Sequence, residues 1–335
     1  MQTPRGSIMT TATPAPEIGT ATADRQVPVW QHDPNAAALS DAERDYLFDV
    51  RGFDVIQGAL SADDLAAVNA FVDRHDIQNL STGTWLGHVE THNYGSPGSG
   101  SSSDGMNFQN IIEGGPVFEK CIDHPSWIDR VARYIAVEGH HLSIDENFLN
   151  VRQSGGFIPT HSGGAQVRLT SSFRNHAGKW MVGQINILMA LTDIGLGDGC
   201  TTVVPGSHKA HMDHPVNHLD DDGKNSAWER GISGAQTAGM VQVHLKAGDA
   251  LMFTDALTHG SIPRTNPGER RVMIYRYAPH LLARRFNYLP SDEMLARLTP
   301  RQKHMVMPQP PRFRPGRTLT FAADDGPRDV VAPRD

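Results

Sequence analysis

Cysteine is nearly absent: Cys121 and Cys200 are the only two in 335 residues. Two isolated thiols in a chain of this size read as reduced cytosolic cysteines, with one disulfide between them as the alternative. No run reaches the roughly 18 consecutive apolar residues of a membrane-spanning helix, so no membrane partner is expected. The N-terminus has no continuous apolar stretch after Arg5, which argues against a secretory signal and makes the cytoplasm the expected location. Positive charge is not in excess. Thirty Lys and Arg against 37 Asp and Glu leave a net charge of −7 and a pI near 6.2, which argues against a nucleic-acid-polymer partner. There is no internal repeat. What remains is ordinary for a soluble globular protein, with 39% apolar and 20% charged residues, enough chain for one large or two small domains. Seventeen histidines make a metal site worth seeking.

Residues 1–35 are rich in Thr, Ala and Pro with few large apolar side chains, so they read as a disordered leader, with Met9 as an alternative start. Ser40 with Glu43 forms a capping-box pattern that predicts a helix over Asp41–Phe48. Gly52–Ile56 alternates like a strand, and residues 62–74 form an amphipathic helix behind Ser61. Residues 95–104, rich in Gly and Ser, are expected as a mobile loop, and Phe118–Ile135 again has helical spacing. Beyond Leu142 come short Val/Ile/Leu/Phe runs separated by Gly, Pro and Asp: Phe148–Val151, Gln184–Leu191, Thr201–Val204, Val241–Leu245, Ala250–Phe253 and Val272–Tyr277. Many short strands with turn signals between them point to a double-sheet jelly roll or barrel. A late helical stretch, Ser291–Met305, is interrupted at Pro300. Pro308–Pro315 is too rich in proline for regular structure, and residues 321–335 read as a tail. The whole reads as one domain over residues 36–320, mainly β with surrounding helices.

Three features follow one another in the second half: Pro159-Thr160-His161-Ser162-Gly163-Gly164, then Val204-Pro205-Gly206-Ser207-His208-Lys209, then Gly248-Asp249 with His259-Gly260-Ser261 and Arg270. An oxygen-activating iron(II) site needs two imidazoles, usually one carboxylate, and open positions on one face. When 2-oxoglutarate is the co-substrate, its far carboxylate needs a fixed cation, and the planar fork of Arg suits it. His161, His259 and Arg270 supply the imidazoles and the cation. A turn through Pro263–Gly268 is expected to bring Arg270 back beside the His259 strand.

These motifs together resemble the phytanoyl-CoA dioxygenase family of iron/2-oxoglutarate oxygenases over residues 45 to 310. The resemblance implies a double-stranded β-helix (cupin-like jelly roll), iron on His161 and His259, and 2-oxoglutarate on Arg270 and Ser261. The chain departs from the family where its first motif, His-x-Asp, places the third iron ligand: here the third position is Gly163, which has no side chain. That departure resembles the iron/2-oxoglutarate halogenases, more distantly the nucleotide halogenases. There chloride or bromide fills the vacated position, O2 and 2-oxoglutarate are consumed, and a C–H bond receives halogen instead of hydroxyl. The leading reading is therefore a halogenase acting on a small, anionic metabolite, a nucleotide being one candidate. The rivals are a hydroxylase of the same fold and a non-catalytic binding protein on an oxygenase scaffold.

Other readings stay open. Gly163 and Gly164 also suit a tight turn needing positive φ, with a carboxylate from Asp145, Glu146 or Asp255 completing the site. Gln184 and Asn186 share one strand face, either solvated or directed at 2-oxoglutarate or halide. Arg168, Arg174 and Lys179 are either a charged surface loop or a clamp for an anionic substrate. Arg271 replaces Arg270 if the strand faces are reversed. Ser261 is otherwise a turn cap, His208 supports its turn, and Asp198 and Asp249 bond their own Gly-Asp turns. Oligomeric state is not legible.

Overall fold

The computed structural model describes residues 24–93, 104–135, 142–166, 168–217, 226–280, 282 and 289–307, and the backbone of 317–322 and 326–331. Helix α1 (Asp41–Arg51) starts at the predicted capping box, with the Ser40 N–H donating to Glu43 at 2.8 Å and Ser40 Oγ accepting from the Glu43 N–H. It runs three residues past its expected end and stops at Gly52, where β1 (Phe53–Ile56) begins. α2 (Ala62–Asp73) follows its Ser61 cap. Three strands without clear apolar alternation come next: β2 (Trp85–Leu86), β3 (Val89–Asn93) and β4 (Met106–Gln109). The single helical stretch expected over Phe118–Ile135 is divided into α3 (Pro116–Glu119) and α4 (Ile128–Ile135). Pro125 lies between them and lacks the N–H that a continuous helix requires.

The second half is strand-rich as expected: β5 (Leu142–Arg152), the hairpin β6 (Phe173–His176) and β7 (Lys179–Val182), β8 (Ile185–Ala190), β9 (Thr201–Val203), β10 (Val241–Val243), β11 (Ala250–Thr254), β12 (His259–Ser261) and β13 (Arg270–Pro279). α5 (Asp292–Arg297) and α6 (Pro300–Val306) are the late helix, divided where Thr299 caps a new start and Pro300 takes its first position. A backbone hairpin of β14 (Arg317–Ala322) and β15 (Gly326–Val331) crosses the boundary between the expected domain and its tail. Of the expected loop at 95–104 only Asp104 is among the described residues, and the Pro308–Pro315 stretch lies outside them.

The large sheet is antiparallel in the order β1-β11-β8-β13-β5-β4-β3-β2, and the small sheet is β10-β9-β12. This is the jelly-roll architecture expected. β5 and β13 are much longer than their apolar runs suggested and pair from Arg270↔Arg152 to Pro279↔Leu142. Polar residues such as Glu146, Asn150 and Arg152 hide the strand in the sequence because they are buried, not solvated. The sheet's two faces bury different clusters. Ile185, Ile187 and Met189 of β8 pack with Phe48, Val68, Phe118 and Trp127 of the helical layer. Leu188 and Ala190 pack between the sheets with Val203 and Val243. Among the described residues no helix is long and apolar enough to cross a membrane. Cys121 and Cys200 are both buried and free, and burial pushes each thiol up to about 12.

The expected leader ends earlier than residue 35. Residues 1–23 lie outside the described residues, but Val27 is buried, Val29 pairs with Gln242, and Trp30 packs edge-on against Phe53 at 5.0 Å. This segment adds a strand-like edge to the small sheet through Trp30 N–H to Gln242 O and Gln242 N–H to Pro28 O, both 2.8 Å. Trp30→Ala is therefore expected to lower stability by about 1–3 kcal/mol in urea unfolding, less than the roughly 3–5 kcal/mol for a fully buried aromatic residue, because Trp30 is only half-buried. Trp85→Ala, at a side chain 59% exposed, should change it by less than about 0.5 kcal/mol.

Candidate metal centre

His161 and His259 meet across the mouth of the sandwich. Each donates its main-chain N–H to the other's carbonyl, at 2.8 Å and 3.0 Å, forming an antiparallel bridge that extends the small sheet. Their rings lie 4.1 Å apart, centroid to centroid. Each ring bonds the carbonyl two residues behind it: His161 Nδ1 to Pro159 O at 2.8 Å, His259 Nδ1 to Leu257 O at 2.7 Å. A carbonyl only accepts, so Nδ1 carries the proton and Nε2 keeps its lone pair in both rings. Burial, then the neighbouring His259, pushes His161 down to about 3, and burial lowers His259 as well. Both imidazoles are therefore neutral at neutral pH, the form that ligates metal.

The two rings line a cavity of about 740 Å³ whose far end holds two arginines paired across strands, Arg270 on β13 and Arg152 on β5. Arg152 is neutralised by Asp104 and donates from Nη1 to Ser261 Oγ at 2.9 Å. Among the described residues Arg270 has no carboxylate partner. It donates to Thr201 Oγ1 at 3.3 Å, its Nε has no partner, and burial followed by Arg152 pushes it down to about 9. Ser261 Oγ already accepts from Arg152 and from the Ile158 N–H at 2.7 Å, so its own hydroxyl proton is left to donate. A buried cation without a counter-ion beside a poised hydroxyl donor fits one added carboxylate. The donor set fits the group pair anticipated from sequence: iron on His161 and His259, 2-oxoglutarate on Arg270 and Ser261.

The expected path to Arg270 needs correction. The turn after β12 does not return the chain beside His259. It crosses to the large sheet, where β13 pairs with β5 and β8, and Arg270 reaches the cavity from the facing layer. Arg271 points the other way, to Asp73 at 2.7 Å and Glu269 at 2.9 Å, so the strand faces are as first assigned. Asn186 lines the cavity, whereas Gln184 does not, although it is buried beside it with Nε2 3.5 Å from Asn186 Oδ1. Of the basic stretch only Arg168 borders the cavity. Arg174 and Lys179 are exposed on the β6–β7 hairpin, outside the lining, because that hairpin folds back over Phe48 through Phe173 and Trp180. His208 donates from Nε2 to Asp49 O at 2.9 Å and packs on Phe173, supporting its turn. Asp198 and Asp249 bond their own turns as expected, accepting from the Gly195 N–H and the Lys246 N–H, both at 2.9 Å, and each also reaches further, to Arg264 and to the Gly58 N–H.

Gly163 has φ +153 after Ser162 at φ +62, a turn in which a Cβ at residue 163 would stand 3.1 Å from Thr258 Oγ1 and 3.8 Å from Asp213 Oδ1. Gly164 packs directly on the Ser207–His208 backbone and donates its N–H to Ser207 O at 3.0 Å. The double glycine thus has a conformational reason of its own. Among the described residues no group of three His, Cys, Asp or Glu is placed to hold a metal. Of the alternative carboxylates, Asp145 is not in the lining, Glu146 is bound by Arg276 at 2.7 Å, and Asp255 lines the cavity beside the histidines. Sequence reasoning missed Arg152, Asp104, Thr201, Arg276 and Trp228, all of which line the cavity. They carry no motif: cross-strand register brings in Arg152, Thr201 and Arg276, and Asp104 and Trp228 arrive on segments outside the strands.

Because His161 and His259 take up protons in the unfolded chain near pH 6.5 but resist them when folded, their stabilisation is complete above that pH and lost as pH falls towards their lowered values. Thermal melts of metal-free protein should therefore fall from pH 7 to pH 4.5, by at most about 1.4 kcal/mol per pH unit for each linked proton. His161→Ala and His259→Ala should flatten that slope.

Residues 48–272 match the phytanoyl-CoA dioxygenase (PhyH) family. The dioxygenase cdmD of Talaromyces verruculosus is 28% identical over 123 residues, 36% of this chain and 35% of that protein, so the chain spans about a third of this curated relative's length. HygX of Streptomyces hygroscopicus with iron bound has the same fold at a TM-score of 0.56 and 20% identity, covering 77% of this chain and 94% of that one. HygX with nickel and 2-oxoglutarate bound gives 0.55 and 19%, covering 76% and 94%.

Proposed function

This chain belongs to the phytanoyl-CoA dioxygenase family of iron/2-oxoglutarate oxygenases, and on that premise we propose that it oxidises a C–H bond of a small-molecule substrate, using iron(II), 2-oxoglutarate and O2. The observation that carries the reading is one cavity with two neutral, oriented imidazoles at one end and an uncompensated buried arginine at the other. His161 and His259 hold the iron. Arg270, Thr201 and Ser261 receive the far carboxylate of 2-oxoglutarate. With O2 and 2-oxoglutarate, the iron supplies C–H oxidation, giving R–OH, succinate and carbon dioxide from R–H. The remaining cavity, bordered by Phe148, Ile274, Trp228 and Arg168, receives the substrate. Arg168 alone supports an anionic substrate, a weaker case than the three-residue clamp expected from sequence.

Halogenation is the second reading, and Gly163 favours it. Without a carboxylate at that position, chloride or bromide would complete the metal's charge, and R–H, halide, O2 and 2-oxoglutarate would give R–halide, succinate, carbon dioxide and hydroxide. The two readings part in one assay. Purified protein with iron(II), 2-oxoglutarate and a metabolite panel, in chloride and in chloride-free buffer, is read by mass spectrometry. Oxygenation predicts a product one oxygen heavier in both buffers. Halogenation predicts chlorine's isotope doublet only in chloride. Succinate should be formed at the expense of 2-oxoglutarate by wild type and lost in His161→Ala and His259→Ala. If no panel member and no uncoupled turnover yields succinate, a binding role on this scaffold replaces both readings. Arg270→Met should raise the KM for 2-oxoglutarate by about 100-fold, the value of a charge-assisted pair, while leaving the metal-free fold at least as stable because an unpaired buried cation is removed.

A further inference from the structure

Among the described residues four carboxylates line the cavity, and three are accounted for. Asp104 is bound by Arg152, Glu146 by Arg276, and Asp213 is exposed at the surface. The fourth, Asp255, is 7% exposed, and its carboxylate has no hydrogen bond or ion pair among the described residues. Its main chain alone is engaged, the N–H donating to Gln184 O at 3.0 Å. Asp255 sits in the turn between β11 and β12, closed by Leu257 N–H to Thr254 O at 3.0 Å and Ala256 N–H to Thr254 Oγ1 at 3.3 Å. That turn also presents Leu257 O, the carbonyl that orients His259. The charge of Asp255 acts on both imidazoles. The nearby guanidinium that also acts on both, Arg276, is already held by Glu146.

A buried carboxylate costs free energy unless a cation meets it. Here each neighbouring imidazole spends Nδ1 on a backbone carbonyl and the neighbouring arginine is held by Glu146, so the missing cation is the one the imidazoles themselves are arranged to bind. We propose that Asp255 is the acidic residue of the metal centre, supplying from the large sheet the carboxylate contact that Gly163 cannot supply from the loop after β5. It rests on the iron/2-oxoglutarate reading above and deepens it. Asp255 is not grouped with the two histidines at ligand distance, so its contact is made through a metal-bound water or after side-chain rotation. Either way it carries the negative charge that the family motif places elsewhere, and it weighs towards oxygenation, since no halide is then needed to balance the metal.

The test is an anaerobic Co(II) titration of the full chain, read by calorimetry and by the d–d absorption of bound Co(II). Asp255→Asn should bind Co(II) at least 10-fold more weakly than wild type and change the d–d spectrum, the size of effect seen when a group orienting or contacting a metal is removed. Asp255→Glu should recover affinity to within a few-fold. The metal-free Asp255→Asn protein should melt no lower than wild type, since it loses an uncompensated charge and no contact, whereas a structural Asp would lower it. Binding by Asp255→Asn within twofold of wild type, while His161→Ala loses Co(II), overturns this inference and leaves the parent reading standing. Wild type that binds no Co(II), or His161→Ala that binds as wild type does, overturns both.

Discussion

Two main-chain hydrogen bonds, His161 to His259 and back, hold the site together. They stitch the loop after β5 onto β12, so the small sheet gains an edge residue exactly opposite its terminal histidine, and both rings are delivered to the same point. Each ring then repeats the same bond to the carbonyl two residues earlier. The bridge sets position, the carbonyls set tautomer, and burial sets charge state.

Charge in the cavity is arranged against that pair. Arg152 with Asp104, and Glu146 with Arg276, are closed ion pairs on the large sheet. Arg270 and Asp255 are left open, one at the far end and one beside the imidazoles. Open buried charges destabilise a folded chain unless ligands complete them. Their opposite signs match the opposite signs of a co-substrate carboxylate and a divalent metal, so stability is given up where binding recovers it.

Much of this was legible beforehand. Caps at Ser40 and Ser61, the break at Pro300, and the apolar runs of β8, β9 and β11, are local signals, and the helices and strands followed them. The histidines, Arg270 and Ser261 stood in ordered motifs. Where the reading fell short, long-range pairing overrode local pattern. β5 looked short because Glu146, Asn150 and Arg152 interrupt its apolar run, yet they face an enclosed cavity. Trp30 looked like leader because its partners, Phe53 and Gln242, are remote in sequence. Arg174 and Lys179 looked like a clamp because they follow Arg168 closely, and a hairpin carries them outside.

By itself the sequence determined which side chains are chemically able to serve: two imidazoles, one arginine on the inward face of a strand, and a glycine where a carboxylate ligand was expected. Alternation and capping are properties of neighbouring residues, so they survive in one dimension. Only the tertiary structure decided which charges remain unpaired, because pairing depends on cross-strand register between β13, β5 and β4 and on a turn 92 residues beyond Gly163 in the chain (255 − 163). That is why the empty ligand position could be read directly from the sequence, and its carboxylate candidate, Asp255, could be singled out only in the fold.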